Sequence, residues 1–361
     1  MDNESRSRRR SRRKTKRVLK ILLTVTILAF LVVGSGLAYL ATQASNAANE
    51  AYRGLDRGEK SERRAEAIDI GQDNFSVLLL GDDARPGEER ARTDAMLVAT
   101  FNKEERSIVL TSIPRDSYVE IVGQGTMDKI THANAFGGID MTIDTVEHLL
   151  DIPIDHYALV KFQGLEDIVD ALGGIEVDVS FTFDFTHDGQ FLQFEEGPSH
   201  LDGEHALAYA RERKHPDSGG DLGRGQRQQQ VIEAMIEKAA SFSSIHRFDD
   251  VFDSIGDNMI TDLQFGHLIS LHGYASSISD IETLQFEGAD FRGMDGVSYF
   301  RVDENSLLEI QNRLKEHLEY ENPFPSETNP VEEPPTEPSE TAPVEEPPST
   351  EPSEPEPNYN Y

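Results

Sequence analysis

The chain has 361 residues, 37% of them hydrophobic, and a formal net charge of −32. A chain of this length can bury one sizeable core or two small ones, and one large domain with appended segments fits best. Cysteine is absent, which excludes a disulfide framework, thiolate chemistry and a Cys-ligated metal site.

The N-terminal segment, residues 1–20, is strongly basic, and residues 21–41 form an apolar run without any charge. As a helix this run would be about 31 Å long, which is enough to cross a bilayer core. The positive-inside rule then predicts a cytoplasmic N-terminus and an extracytoplasmic remainder. A cleaved signal peptide is the alternative, but its apolar region is usually only about 7 to 15 residues long. We therefore expect a single-pass transmembrane helix in the cell membrane, whose basic flank contacts anionic lipid and not nucleic acid.

Residues 42–73 are rich in Ala, Glu and Arg with little apolar periodicity, and they predict a polar extracytoplasmic stalk. The folded domain is expected at 74–321. Its first strand is Phe75–Leu80, a near-continuous apolar run typical of a strand buried on both faces. Residues 95–101 and 107–113 predict a β-hairpin, so the sheet is at least partly antiparallel. Further strands are predicted at 118–122, 157–160, 175–179, 283–286 and 297–302.

Helical spacing of apolar residues alternates with these strands. The predicted helices lie near 139–150, 162–172, 224–239, 263–278 and 307–318. This alternation indicates an α/β fold in which helices flank a mixed central sheet. Residues 322–361 are dominated by Pro, Glu, Ser and Thr and contain no basic residue, which predicts a disordered, extended tail.

An arginine cluster stands out in this acidic chain. The cluster lies within residues 207–230 and consists of Arg211, Arg213, Arg224 and Arg227. A guanidinium group can contact two phosphate oxygens at once and never loses its proton, so the cluster predicts an anion site, with phosphate as the first ligand to consider. A helix beginning near residues 222–224 would place Arg224, Arg227 and Gln228 on one face of its first turn. The alternative is that these arginines pair with the many acidic side chains.

Aspartates and arginines also alternate around the end of the first strand. Asp83 and Asp94 are candidate Mg²⁺ ligands, because carboxylate oxygens suit this ion and phosphate often completes its coordination. The alternative is that they form ion pairs with Arg85 and Arg92. For Asp82, which is expected to point outward, a surface ion pair is the preferred interpretation.

Several dispersed motifs occur in a recognisable order. They are Gly81-x-Asp83-x-Arg85, Arg92-x-Asp94, Ile113-Pro114-Arg115-Asp116, Asp128-Lys129-Ile130, Ala171-Leu172-Gly173-Gly174, Leu201-Asp202-Gly203, Ala208-Tyr209-Ala210-Arg211-x-Arg213 and Gly223-Arg224-x-x-Arg227-Gln228. Over residues 74–240 this ordered set resembles the LytR-CpsA-Psr family. Gly225 departs from the pattern, since the family usually has an apolar residue there, and it is expected to loosen the start of the helix.

The resemblance implies an Mg²⁺-dependent glycopolymer phosphotransferase. Its donor would be a teichoic acid or capsule-like polymer on a polyprenyl-pyrophosphate carrier, and its acceptor the C6 hydroxyl of N-acetylmuramic acid in peptidoglycan. Asp83 and Asp94 would hold the metal. Arg92, Asp94 and Arg115 would be the catalytic residues. The pyrophosphate would be bound by Arg85, Arg92, Arg115, Arg211, Arg213, Arg224, Arg227 and Gln228.

Two other functions remain open at this point. A polyprenyl-pyrophosphate phosphohydrolase could use the same site with water in place of the sugar hydroxyl. A non-catalytic wall-binding scaffold or attenuator would need no chemistry. The sequence carries no DNA-binding motif, and a nucleic-acid partner is not expected.

Overall fold

A computed structural model describes residues 52–82, 93–187, 190–240, 258–264, 266–267, 270–271, 280–294 and 296–323. The predicted transmembrane helix at 21–41, its basic flank, nearly all of the predicted tail and most of the predicted helix at 263–278 lie outside these residues. Within the described ranges, no helix has both the length and the apolar character needed to cross a membrane.

The central sheet carries the site. Its strands are β1 (Phe75–Asp82), β2 (Thr93–Asn102), β3 (Ser107–Ser112), β6 (His156–Lys161), β11 (Met259–Thr261) and β12 (Asp280–Gln285). In the part of the chain that the structure describes, their order is β11-β6-β1-β2-β3-β12. β1 pairs antiparallel with β2 and parallel with β6, and β2 pairs antiparallel with β3. The predicted hairpin and mixed sheet are therefore confirmed.

Four two-stranded antiparallel sheets surround the central one among the described residues. Their pairs are β4 (Tyr118–Ile121) with β5 (Thr126–Lys129), β7 (Ile175–Val179) with β10 (Gly197–Leu201), β8 (Phe183–His187) with β9 (Gln190–Phe194), and β13 (Gly288–Arg292) with β14 (Ser298–Val302). The sequence predicted β4, β7 and β14 but not their partners. These partner strands are short, and some are exposed on both faces, so they show no clear apolar alternation.

Helices cover both faces of the sheet. They are α1 (His132–Leu150), α2 (Phe162–Ala171), α3 (Gly203–Arg211), α4 (Gly220–Ala240) and α5 (Glu304–Leu318), with a short 3-10 helix at Pro216–Ser218. α1 starts before the predicted residue 139 and is kinked at Gly138, whose φ is 74°. This kink interrupts the apolar spacing and explains the late predicted start. α3 was not predicted, although Asp202 caps it by accepting a hydrogen bond from the backbone N of His205 at 3.0 Å.

The core has apolar layers on both faces of the sheet. On one face, Leu78 and Leu80 of β1 pack with residues of α1 and α5 such as Ile143 and Leu314. On the other face, Leu110 of β3 packs with α4. β1 is thus buried on both faces, as its sequence predicts.

Residues 52–73 belong to the folded domain, in contrast to the predicted stalk. Leu55 and Ile70 are buried in apolar clusters. Arg57 Nη1 donates to Glu147 Oε1 at 2.9 Å, and Ser61 Oγ donates to the same oxygen at 2.7 Å. The segment is irregular and not helical. Isolated apolar residues and long-range ion pairs hold it in place, which explains why a search for periodicity missed it.

Candidate anion-binding active site

A cleft of about 660 Å³ opens between the central sheet, α3, α4 and the β8–β9 hairpin. It brings together predicted site residues from four separate parts of the chain. Those that line it are Asp94, Arg115, Arg211, Arg213, Arg224 and Gln228. Asp83, Arg85 and Arg92 lie outside the described residues.

Arg227 does not line the cleft, in contrast to its predicted contact with pyrophosphate. It is only 3% exposed, and its Nη1 donates to the carbonyl oxygen of Ser218 at 3.0 Å. Its Nη2 donates to the carbonyl oxygen of Glu212, and its guanidinium carbon lies 5.5 Å from the centre of the Phe181 ring. The side chain therefore holds the segment before α4 in place, which is a structural role.

α4 begins earlier than predicted, and two of its glycines lie close to neighbouring segments. The helix begins at Gly220 and not at 222–224, so Arg224 lies one turn inside it. A Cβ on Gly223 would lie 1.9 Å from the carbonyl oxygen of Ser218, and one on Gly225 would lie 2.6 Å from Ser112 Oγ. Gly225 therefore permits close packing of α4 on β3, which replaces the expectation that it loosens the helix start.

Three arginines of the cleft converge on one carboxylate, Asp221, in the first turn of α4. Arg224 Nη2 lies 2.8 Å from Asp221 Oδ2, Arg115 Nε lies 3.7 Å from the same oxygen, and Arg213 Nη1 lies 3.7 Å from Oδ1. Sequence reasoning did not select Asp221. The available signal was its position three residues before Arg224, where an aspartate and an arginine share one face of a helix.

Charge and burial oppose one another in this cluster. Burial lowers the pKa of Arg224 despite the nearby Asp221 carboxylate. Burial also acts to lower the pKa of Arg115, but the carboxylates of Asp221, Asp94 and Asp116 outweigh it and raise this pKa. Both guanidinium groups thus remain charged. Within the described residues, the Nε atoms of Arg115 and Arg224 are buried and have no hydrogen-bond partner, a property that they share with the Nε atoms of Arg57 and Arg227.

Asp94, at the start of β2, forms an ion pair with Arg115. Its side chain is 31% exposed, so it can reach a ligand in the cleft. Asp82 and Thr93 are register partners at the end of the β1–β2 ladder, so Asp94 lies at the same edge of the sheet as the end of β1. Asp82 itself is only 6% exposed, so its expected outward position is wrong: this end of β1 is covered.

The donor chemistry at this edge fits Mg²⁺ in part. The described residues contain no group of three or more His, Asp or Glu side chains able to hold a metal ion. Mg²⁺, however, is commonly held by one or two carboxylates together with substrate phosphates and water. Asp94 can supply one such carboxylate, so the residues fit a metal that binds together with its substrate.

An apolar cavity of about 110 Å³ adjoins the cleft. The two spaces share Phe162, Arg211 and Gln228. The guanidinium carbon of Arg211 lies 4.9 Å from the centre of the Phe162 ring, so a cation and an aromatic ring mark the junction. The remaining walls are apolar side chains of the sheet and of α2, α3 and α4, among them Leu79, Leu97, Leu165, Ile168, Val231 and Met235. A cationic cleft beside an apolar cavity matches a ligand with an anionic head and a hydrocarbon tail.

Comparisons with known proteins agree with this arrangement. The LytR_cpsA_psr family model matches residues 38–316. The chain is 45% identical over 302 residues to the polyisoprenyl-teichoic acid–peptidoglycan teichoic acid transferase TagU of Halalkalibacterium halodurans, covering 83% of this chain and 96% of that one. It is 41% identical to TagT of Bacillus subtilis, which carries the same transferase description, covering 81% of this chain and 92% of the relative.

A solved structure shares the fold. The LytR-CPS2A-psr family protein YwtF (TagT) with bound octaprenyl pyrophosphate lipid matches with a TM-score of 0.60 and 36% sequence identity. The match covers 74% of this chain and 100% of that one.

Proposed function

Because the chain belongs to the LytR-CpsA-Psr family, we propose that it transfers a glycopolymer phosphate from a polyprenyl-pyrophosphate carrier to peptidoglycan. The observation that carries this proposal is the convergence of Arg115, Arg213 and Arg224 on Asp221. Three guanidinium groups around one carboxylate form a site for an anion that can compete with that carboxylate. A pyrophosphate brings more negative charge and more oxygen acceptors than Asp221 does.

The apolar cavity is proposed to receive the first part of the polyprenyl chain. Its 110 Å³ is a few times the roughly 30 Å³ that one water molecule occupies. A polyprenyl chain is much larger, so only its first part is proposed to lie in this cavity. The relative with bound octaprenyl pyrophosphate supports a lipid of this class.

Positioning and charge neutralisation account for the proposed reaction. The oxygen of the acceptor hydroxyl bonds to the phosphorus that carries the glycopolymer, the bond from this phosphorus to the polyprenyl phosphate breaks, and the hydroxyl proton passes to water. In such a transfer the attacking and leaving oxygens lie roughly in line, and negative charge spreads over the equatorial oxygens. Arg115 and Arg224 are placed to neutralise that charge, and Arg211 stands where the cleft meets the apolar cavity.

Mg²⁺ is proposed as the cofactor, held by Asp94 and Asp83. Bound there with the substrate, it would neutralise phosphate charge and help to orient the transferred group. Asp94 also orients Arg115 through their ion pair. The acceptor is proposed to be the C6 hydroxyl of N-acetylmuramic acid, and the domain is proposed to act on the outer side of the cell membrane.

One assay tests the proposal. Full-length protein in detergent is incubated with Mg²⁺ and a lipid-pyrophosphate-linked glycan, with and without soluble peptidoglycan oligomers, and the products are identified by mass spectrometry. We expect a phosphodiester-linked product and free polyprenyl phosphate. Arg115→Lys should lose most of this transfer, because an ammonium group cannot make a planar two-point contact with phosphate. Arg313→Lys is the control, since Arg313 pairs with Glu282 and does not line the cleft.

The other outcomes point to other functions. Donor cleavage that does not depend on peptidoglycan, without a linked product, would indicate a phosphohydrolase. Glycan binding without donor cleavage would indicate a scaffold. If Asp94→Asn transfers as well as wild type at limiting Mg²⁺, Asp94 is not a metal ligand and serves only as a partner of Arg115.

A further inference from the structure

The β8–β9 hairpin forms a wall of the cleft that the reaction described above does not use. Asp184, Phe185 and Thr186 of β8 line the cleft together with the arginines. None of these three lines the apolar cavity. The hairpin therefore borders the part of the cleft away from the proposed lipid.

One face of the hairpin is fixed in the core. The rings of Phe183 and Phe194 stack with their centroids 4.4 Å apart, and both approach Tyr209 of α3 at 6.2 Å. Leu192 of β9 is buried in the same cluster. This packing fixes the position of the hairpin and therefore of the side chains on its other face.

The other face is exposed and mixes an aromatic ring with polar groups. Cross-strand partners share a face, and the partners here are Asp184 with Gln193 and Thr186 with Phe191. Gln193 Nε2 donates to Asp184 Oδ1 at 3.4 Å, and all four residues are exposed. Phe191 is 62% exposed, so its ring contributes little to the core.

This combination fits a sugar. A pyranose ring presents an apolar C–H face, which can lie on an aromatic ring, and a rim of hydroxyls. Carboxylate, carboxamide and hydroxyl groups can hydrogen-bond to such a rim. We propose that the exposed face of the β8–β9 hairpin, formed by Asp184, Thr186, Phe191 and Gln193, binds the acceptor glycan strand. This inference rests on the proposed transferase function.

Charge selects the acceptor over the donor polymer. Residues 182–196 contain four acidic residues, Asp184, Asp188, Glu195 and Glu196, and no Lys or Arg. Asp184, Glu195 and Glu196 are exposed. A teichoic acid chain carries repeated phosphates and would be repelled here, whereas the sugars of a peptidoglycan strand are suited to such a surface.

The reaction geometry agrees with this choice. The polyprenyl phosphate leaves on the side of the apolar cavity, and the acceptor must approach roughly in line from the opposite side of the phosphorus. Asp184 and Thr186 of the exposed face line the cleft but not the apolar cavity, and Gln193 and Phe191 are their partners on β9. The acceptor also has no lipid to hold it at the enzyme, so it requires a protein surface of its own.

The test measures the KM for the acceptor and the KM for the donor separately. Full-length Phe191→Ala is compared with wild type in the transfer assay, with titration of either soluble peptidoglycan oligosaccharide or lipid-linked donor. We expect the KM for the oligosaccharide to rise about ten-fold, with the donor KM unchanged, since loss of one stacked ring is worth about 1 kcal/mol or somewhat more. Phe191→Tyr should keep the wild-type KM. Leu308→Ala, at a position 55% exposed on α5, is the matched control.

Each remaining outcome overturns either glycan binding by the hairpin or the proposed transferase function. If Phe191→Ala transfers at the wild-type rate with an unchanged acceptor KM, the assignment of the hairpin is overturned and the proposed function stays intact. A raised donor KM with an unchanged acceptor KM shows that the face binds the donor polymer, which also overturns it. A third outcome is that wild type binds the oligosaccharide, Phe191→Ala does not, and no linked product forms. This outcome overturns the proposed function and supports glycan binding at the hairpin.

Discussion

Arg224 and Arg227 are three residues apart on one helix but have different surroundings. Arg224 faces the cleft beside Asp221, whereas Arg227 is surrounded by backbone carbonyls and the Phe181 ring. Both guanidinium groups are largely buried, and burial lowers the pKa of each. What separates them is access to a ligand.

Lysine substitutions should therefore separate function from stability. Arg224→Lys should reduce transfer by roughly 100-fold, as is typical when one donor to a transition-state oxygen is lost, with little change in unfolding free energy. Arg227→Lys cannot donate to both carbonyls with the same geometry, and it should destabilise the fold by about 2 kcal/mol. Urea unfolding and the transfer assay measure the two effects. A stable but inactive Arg227→Lys would show that the structural role assigned to Arg227 is wrong.

The sequence predicted some of the residues that line the cleft correctly, but it misassigned or missed others. Asp94, Arg115 and Arg224 were found because their residue types and motif spacing indicate phosphate chemistry. Arg227 was wrongly assigned to the cleft because residues three apart lie about 60° apart around a helix axis, and the neighbouring segments, which the spacing does not reveal, surround only one of the two. Asp221 was not selected because it lies before the predicted helix start at 222–224, so it was not compared with the arginines on that helix.

His317 joins three elements of the fold. It is fully buried on α5, its Nδ1 lies 2.8 Å from Thr100 Oγ1 of β2, and its Nε2 lies 2.9 Å from Ser107 Oγ of β3. Burial, aided by the charge of Arg313, lowers its pKa to about 4. The neutral ring is therefore the form that ties α5 to the sheet.

This coupling predicts a dependence of stability on pH. Between the unfolded pKa of 6.5 and the folded pKa of about 4, the unfolded chain binds a proton that the folded chain does not. The stabilisation from the neutral ring is complete above pH 6.5 and is lost as the pH falls toward 4, by roughly 3 kcal/mol in total.

Urea unfolding across this pH range measures the effect. His317→Gln should show a smaller loss between pH 6.5 and 4 than wild type. His148→Gln, at a side chain 59% exposed, should lose as much as wild type. Equal losses in wild type and His317→Gln would contradict the low folded pKa of His317.

The elements themselves were predictable where their patterns were long. β1, β2, β3 and β6 have apolar runs that only a buried strand explains. The β8–β9 hairpin was missed, since its alternation covers only five residues in each strand. Residues 52–73 were missed for a different reason, because ion pairs to residues far along the chain hold them, and no local pattern records such contacts.

At the scale of the whole molecule, the dominant property is the formal net charge of −32. Mutual repulsion of like charges destabilises a compact state, and salt screens it: the Debye length falls from about 30 Å at 0.01 M to about 3 Å at 1 M. We expect the melting temperature to rise between 0.01 and 1 M KCl. Sucrose of matched osmolality controls for preferential exclusion from the surface. A melting temperature that stays constant or falls in KCl would show that local ion pairs outweigh the net charge.

The packing of residues 52–73 on the domain would limit the reach of the cleft if the predicted span at 21–41 lies in the membrane. Only residues 42–51 would then connect the span to the folded domain. Ten residues cover at most about 35 Å when fully extended. Such a connection would set a greatest distance between the domain and the bilayer, so only glycan strands near the membrane could serve as acceptors. The length of residues 42–51 would thus set the greatest distance from the membrane at which new polymer enters the wall.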